Sequence, residues 1–100
     1  MMNPTVTEYK EGDILVKRIS YSMTFYDFYI VDRVTAKQLQ LTKLRKKYDG
    51  QDGFRPLVSP TNQIDDRSPE DMHVTVSKKK AEYTYSKYEE GRSYQEDHLD

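Results

Sequence analysis

The stretch DFYIVDRVTAKQLQLTKL, residues 27–44, carries the clearest structural signal in this 100-residue chain. Its first half alternates along a strand, with Phe28 and Ile30 on the face that we expect to be buried. Its second half alternates Leu39 and Leu41 with glutamine and threonine. A period of two is typical of β-strands. Because only a short polar link separates the two halves, the sequence predicts a β-hairpin.

Apolar runs of strand length also lie on both sides of this hairpin. The turn signal Glu11-Gly12-Asp13 leads into ILVKRI, and MHVTVS and AEYTYS alternate in the same way nearer the C-terminus. Alternating segments rich in β-branched and aromatic residues, bounded by turn residues, are typical of strands. The sequence therefore predicts five strands, at residues 14–19, 27–34, 37–43, 72–77 and 81–86.

Residues 45–71 have a different character. They contain the turn dipeptides Asp49-Gly50 and Asp52-Gly53, followed by Pro56 and Pro60. Each of these residue types favours turns over regular strands. We expect a long irregular loop here, containing at most one short strand, at residues 54–58. Loops of this length in small domains are usually functional or mobile.

Five short strands without an amphipathic helix predict an all-β domain. Small sheets of this kind protect their edges by curling into a barrel, either SH3-like or of the OB type. An OB barrel normally carries a helix between its third and fourth strands, which residues 45–71 do not offer, so we favour the SH3-like barrel. We expect an N-terminal arm at residues 1–11, the barrel at 12–87 and an acidic, partly disordered tail at 88–100.

The composition limits the classes of partner. Sixteen basic and seventeen acidic side chains give a net charge of −1, which argues against a protein that coats nucleic acid through bulk charge. Basic residues nevertheless cluster at 43–47 and 78–80. With no cysteine, a disulfide or thiolate zinc site is excluded. Because neither a leader nor a run of about 20 apolar residues is apparent, we expect a cytoplasmic protein that does not enter membranes.

The sequence offers no constellation typical of an enzyme. His73 and His98 are far apart, and neither lies near a nucleophile or a metal-ligand motif. The carboxylate pairs Asp65-Asp66 and Glu89-Glu90 lie in polar segments, where we expect water to keep their pKa values ordinary. The DGQDG run at 49–53 lacks the strand and helix that flank a phosphate-binding loop. We therefore expect no catalytic activity, no cofactor and no metal.

Binding remains, and two sets of residues are candidates for it. The first set is aromatic, with hydroxyls expected to reach solvent, and consists of Tyr21, Tyr26 and Tyr29. The second set joins cations to a ring and consists of Arg45, Lys46, Lys47 and Tyr48. Exposed tyrosines suit a protein interface, whereas cations beside rings also suit nucleic acid. Both alternatives stay open, as does the simpler interpretation that these cations only protect a strand edge from pairing.

Residues 12–44 also resemble a group of short proteins encoded by bacteriophages and mobile elements. The likeness rests on GDI at 12–14, DFYIV at 27–31 and RVTAK at 33–37, and it extends to the segment at 76–97. The function of this group is mostly unassigned. The resemblance implies a phage-type protein that acts in the cytoplasm of a host cell by binding a host protein, as a monomer or a homodimer.

Overall fold

A computed structural model describes residues 8–53 and 55–97. Within these residues lie seven strands, all in one antiparallel sheet, and two short helices. The strands are β1 (Ile14–Ser20), β2 (Thr24–Val34), β3 (Gln38–Asp52), β4 (Arg55–Ile64), β5 (His73–Ser77), β6 (Tyr85–Lys87) and β7 (Tyr94–Gln95). The helices are α1 (Pro69–Met72) and α2 (Lys78–Thr84). The predicted all-β class is confirmed.

The long strand β3 organises the sheet. The strand order is β6-β1-β2-β3-β4-β7, and β5 pairs with the first part of β3. The predicted hairpin is present, because β2 and β3 pair from Phe28 opposite Leu44 to Val34 opposite Leu39. Beyond Leu44, β3 continues in a second hairpin with β4. The sheet curls into an antiparallel half-barrel.

Each face of the sheet carries a cluster of buried side chains. Leu15 and Val16 are neighbours on β1 that point to opposite faces, and each belongs to a buried cluster. The helix-side core contains Tyr9, Leu15, Tyr29, Val31, Leu39, Leu41, Val76, Ala81 and Tyr85. The barrel-side core contains Val16, Phe28, Leu44, Val58 and Tyr94. A chain of this size thus divides its apolar side chains between two small cores.

The prediction of an irregular loop at residues 45–71 is wrong. β3 continues through Asp52, and the chain returns as β4. The two Asp-Gly dipeptides belong to one hairpin: Gly50 has a φ of 120° at a register shift, and Gly53 has a φ of 67° at the turn. Glycine adopts these conformations without the steric cost of a side chain. Residues that favour a loop here form the bulge and turn of a long hairpin.

Prolines in β4 are tolerated because the outer edge of this strand is sparsely paired. β7 covers it only at Leu57 and Val58 among the described residues. Pro56 and Pro60 flank that short ladder. A missing N–H costs little at an edge position that pairs with no further strand.

The predicted fifth strand at residues 81–86 is also wrong, as is the total of five strands. Residues 78–84 form α2, whose start is capped by the Ser77 hydroxyl accepting from the Lys80 N–H at 3.1 Å. Only Ala81 of this helix is buried. The alternation of Ala81, Tyr83 and Tyr85 resembles a strand, but Ala81 and Tyr83 lie within α2 and only Tyr85 belongs to the short strand β6.

The C-terminal segment is part of the sheet and not a disordered tail, as far as the described residues extend. β7 pairs with β4, and Glu96 is fully buried. His98 and the end of the predicted tail lie outside the described residues, as do residues 1–7 of the predicted N-terminal arm.

Asp65 anchors the end of the second hairpin. Its backbone N–H donates to the Lys43 carbonyl at 2.9 Å, and its carboxylate accepts from the Arg67 Nε and a terminal guanidinium nitrogen, each at 2.8 Å. These hydrogen bonds from Arg67 hold the pKa of the buried Asp65 carboxyl well below its usual range. The ionised form of Asp65 therefore stabilises the folded state.

We predict that Asp65→Asn lowers the free energy of unfolding by about 1 kcal/mol at neutral pH, a modest value because Arg67 is exposed. The folded-state pKa lies below the unfolded value, so this contribution is complete above about pH 4 and is lost as the pH falls further. Urea unfolding at several pH values measures it, and the difference from the unsubstituted protein should narrow on acidification. The exposed Asp66→Asn is the matched control, and an equal effect there would contradict this role for Asp65.

Candidate functional site

The candidate site lies where the curled sheet splits between β2 and β3. The β2–β3 ladder ends at Phe28 opposite Leu44. Beyond Leu44, β3 still pairs with β4 along its other edge, but the edge that faces β2 has no further ladder among the described residues. Tyr26 lies two residues before Phe28, so its backbone groups face the same gap. A backbone N–H and C=O left without partners at such a position would be costly.

Two side chains fill this gap. The Tyr26 N–H donates to the Glu96 carboxylate at 2.9 Å, and the Lys46 ammonium donates to the Tyr26 carbonyl at 3.0 Å. Lys46 and Glu96 also pair with each other, with 2.5 Å between Nζ and Oε2. The ion pair replaces the strand neighbour that Tyr26 lacks.

The C-terminal segment brings Glu96 into place. On one side the Glu96 N–H donates to the Pro56 carbonyl at 2.9 Å. On the other side, Asp97 and Thr24 exchange two backbone hydrogen bonds of 2.8 and 3.0 Å. Residues 94–97 therefore connect β4 to the start of β2 and close this end of the curled sheet. The Tyr94 ring seals the inside, 5.0 Å from the Tyr26 ring.

Aromatic rings also lie near this ion pair. The Tyr21 ring lies 6.1 Å from the Phe25 ring, and the Lys46 ammonium lies 5.8 Å from the Phe25 ring centre. Tyr48 follows Lys46 by two residues in regular β3–β4 register and pairs with Val58, so it leaves β3 on the same face as Lys46 and the barrel-side core. We call Tyr21, Phe25 and Tyr48 the aromatic platform. Tyr21 and Tyr48 are 68% and 63% exposed.

The tyrosines predicted to face a partner differ in how exposed they are. Tyr21 and Tyr48 are exposed, whereas Tyr26 is half-buried and contributes its backbone to the ion pair. The prediction that Tyr29 faces a partner is wrong, because this residue is only 6% exposed. Its ring packs edge-on against Tyr85 at 5.5 Å, and burial raises the pKa of its hydroxyl. A sheet buried on both faces leaves no solvent-facing side for Tyr29.

The predicted basic cluster is neutralised within the protein. Each of its cations approaches a carboxylate: Lys43 pairs with Asp27 at 3.8 Å, Arg45 with Asp66 at 3.1 Å, Lys46 with Glu96 at 2.5 Å and Lys47 with Asp49 at 3.9 Å. Cations that are paired internally offer less attraction to a phosphate backbone. Sequence reasoning found these residues but not their carboxylate partners, two of which lie more than twenty positions away.

An open groove of about 410 Å³ lies beside this site, and sequence reasoning missed it. Its lining includes Ile14, Pro60 and Tyr88 together with the polar residues Asp13, Asn62 and Glu90. A neighbouring hollow of about 360 Å³ contains Asp49, whose pKa is lowered by hydrogen bonds from Ser59 and Ser93. The two hollows share Pro60, Tyr88 and Glu90. The surface near the site is therefore concave as well as aromatic.

Over residues 8–53 and 55–97, no three His, Asp or Glu side chains come together in a way that could hold a metal ion. In the same part of the chain, no helix is long and apolar enough to span a membrane. Comparisons with protein-family models, curated proteins and solved structures gave no match.

Substitutions in the ion pair test its role. We predict that Lys46→Met lowers the free energy of unfolding by about 3 kcal/mol, because Glu96 is fully buried and cannot reach water. Glu96→Gln should cost less, about 1–2 kcal/mol, because Lys46 is 21% exposed and glutamine still accepts from Tyr26.

In the double variant Lys46→Met/Glu96→Leu, no buried charge is left unpaired, so its cost should be less than the summed costs of Lys46→Met and Glu96→Leu made singly. Chemical denaturation of the single and double variants gives this coupling energy. The exposed pair Lys47→Met and Asp49→Asn is the control, with an expected coupling below about 0.5 kcal/mol. If the losses of unfolding free energy at Lys46 and Glu96 simply add, the two side chains do not act as a pair, and the proposal that they replace a strand partner of Tyr26 is contradicted.

Proposed function

We propose that this protein is a non-enzymatic binding module that recognises another protein through its aromatic platform. The observation that carries the proposal is the pair of exposed tyrosines, Tyr21 and Tyr48, flanking a site whose cations are neutralised internally. Tyrosine is enriched among the residues that dominate protein interfaces, since it buries a large ring while its hydroxyl keeps a hydrogen bond.

The surroundings of the platform support a binding role because they hold it in place before a partner arrives. The Tyr21 N–H donates to the Met23 carbonyl at 3.0 Å, which shapes the turn between β1 and β2. The Lys46 ammonium lies beside the Phe25 ring and is itself held by Glu96. An interface that is ordered in advance loses less conformational entropy on binding.

Charge favours a protein over nucleic acid at this surface. The alternative in which Arg45, Lys46 and Lys47 contact phosphates needs free positive charge. Each of these cations lies within 4 Å of a carboxylate, and Lys46 is mostly buried beneath Phe25. A ring-rich surface of balanced charge is instead what the centre of a protein interface requires.

We further propose that the fold is SH3-like and that the partner is a protein of a bacterial host. The return of β6 to the side of β1, directly after a short helix, supports the SH3-like arrangement. The likeness of residues 12–44 to phage-encoded proteins supports a host partner and the host cytoplasm as the place of action.

Affinity capture from a bacterial host lysate tests the proposal. We expect one stoichiometric partner that stays bound at about 0.5 M salt, where exposed charge pairs are screened. Replacing Tyr21 and Tyr48 with alanine should weaken the purified complex about 30-fold or more, the effect expected for a central interface tyrosine. Isothermal titration calorimetry with the captured partner measures this change.

Tyr83→Ala is the matched control, because Tyr83 is at least as exposed as the platform tyrosines but lies on α2. It should leave the affinity unchanged. Capture that is lost at moderate salt, or that is weakened equally by all three alanine substitutions, would contradict recognition through the aromatic platform.

A further inference from the structure

A second surface, at the opposite end of β2, groups four lysines, with one acid, Glu82, one turn along α2 from Lys78 and Lys79. Lys37 precedes β3, and its carbonyl accepts from the Lys78 N–H at 2.8 Å, which joins it to the lysine run 78–80 at the start of α2. In the part of the chain that the structure describes, none of these four ammonium groups forms an ion pair. All four cations of the 43–47 cluster, by contrast, form such pairs.

An exposed ring lies among these lysines. α2 buries Ala81 against the helix-side core, and at 100° per residue Lys79 and Tyr83 leave the helix on the opposite side. Tyr83 is 77% exposed, the most exposed of the large apolar side chains among the described residues. It lies one turn from both Lys79 and Lys80. A single helix face thus presents a ring flanked by ammonium groups.

We propose that Lys37, Lys78, Lys79, Lys80 and Tyr83 form a docking surface for single-stranded nucleic acid. The lysines contact successive phosphates, and the Tyr83 ring stacks on an unpaired base. This pairing of cations with an exposed ring is how proteins bind single strands without reading their sequence. A duplex would not offer the face of a base, and an acidic peptide would gain nothing specific from the ring.

This surface is separate from the aromatic platform in position and chemistry. The platform contains rings beside neutralised cations, whereas the lysine surface contains a ring beside free cations. The proposal therefore does not rest on the proposed protein partner, and each can fail alone. It also assigns a role to the basic cluster at residues 78–80, for which the sequence analysis gives none.

Fluorescence anisotropy with a labelled oligothymidylate of about 20 nucleotides tests the proposal on the full chain. If four phosphates are contacted, the affinity should fall about 50-fold between about 50 and 200 mM salt. Tyr83→Ala should weaken binding about 10-fold, whereas Tyr83→Phe, which keeps the ring, should bind as the unsubstituted protein does.

Charge variants provide a matched comparison. Lys37→Gln/Lys79→Gln/Lys80→Gln should weaken binding at least about 10-fold and flatten the salt dependence. Arg45→Gln/Lys47→Gln/Lys87→Gln removes the same number of charges from ion-paired positions and should have little effect. Thermal unfolding of each variant checks that it is folded, and Tyr48→Ala should leave this binding unchanged.

Three outcomes would overturn the proposal. The first is no binding of the oligothymidylate at about 50 mM salt. The second is equal affinity for a duplex of the same length or for polyglutamate, which would show a general anion surface. The third is equal loss in the two triple variants, or none in Tyr83→Ala, since the lysine surface would then not be the site.

Discussion

The buried contact between Glu96, Lys46 and the backbone of Tyr26 is the constraint on which the rest of this structure depends. A sheet that curls this strongly cannot keep β2 and β3 paired along their whole length, so the ladder ends at Phe28. A fully buried carboxylate is costly unless it is paired and hydrogen-bonded. Glu96 satisfies both requirements, because it accepts from Tyr26 and pairs with Lys46.

This contact links the end of the chain to the candidate binding surface. β7 and Glu96 hold β4 on one side and the start of β2 on the other. The same lysine that pairs with Glu96 lies against Phe25, beside Tyr21. A short acidic segment therefore closes the curled sheet, completes the barrel-side core through Tyr94 and supports the aromatic platform.

Sequence patterns predicted the elements whose side chains alternate between apolar and polar, which include β1, the β2–β3 hairpin and β5. They failed where local residue preferences and tertiary context disagree. β4 contains two prolines that its sparsely paired edge tolerates, and α2 shows the alternation of a strand over a single helical turn. Tyr29 was wrongly predicted to be exposed, because period-two reasoning assigns one face of a strand to solvent, whereas side chains on both faces of this sheet are buried.

The candidate site was predictable only in part, for a related reason. Exposed tyrosines at positions 21 and 48 can be proposed from composition and strand position alone. The pairing of Lys46 with Glu96 joins residues fifty positions apart, and nothing local distinguishes Glu96 from the other acids near the C-terminus. Glu96 is buried because β7 pairs with β4 directly before it. A strand of two residues is too short to show an alternating pattern, so this pairing cannot be predicted from the sequence.

Amide hydrogen exchange at Tyr26, followed by NMR at single-residue resolution, tests this account most directly. If the Glu96 carboxylate replaces a strand neighbour, the Tyr26 N–H should be protected at least as strongly as the Thr24 N–H, which donates to Asp97 at the same edge of β2. Exchange of the Tyr26 N–H at the rate of an unstructured peptide, while Thr24 stays protected, would contradict it.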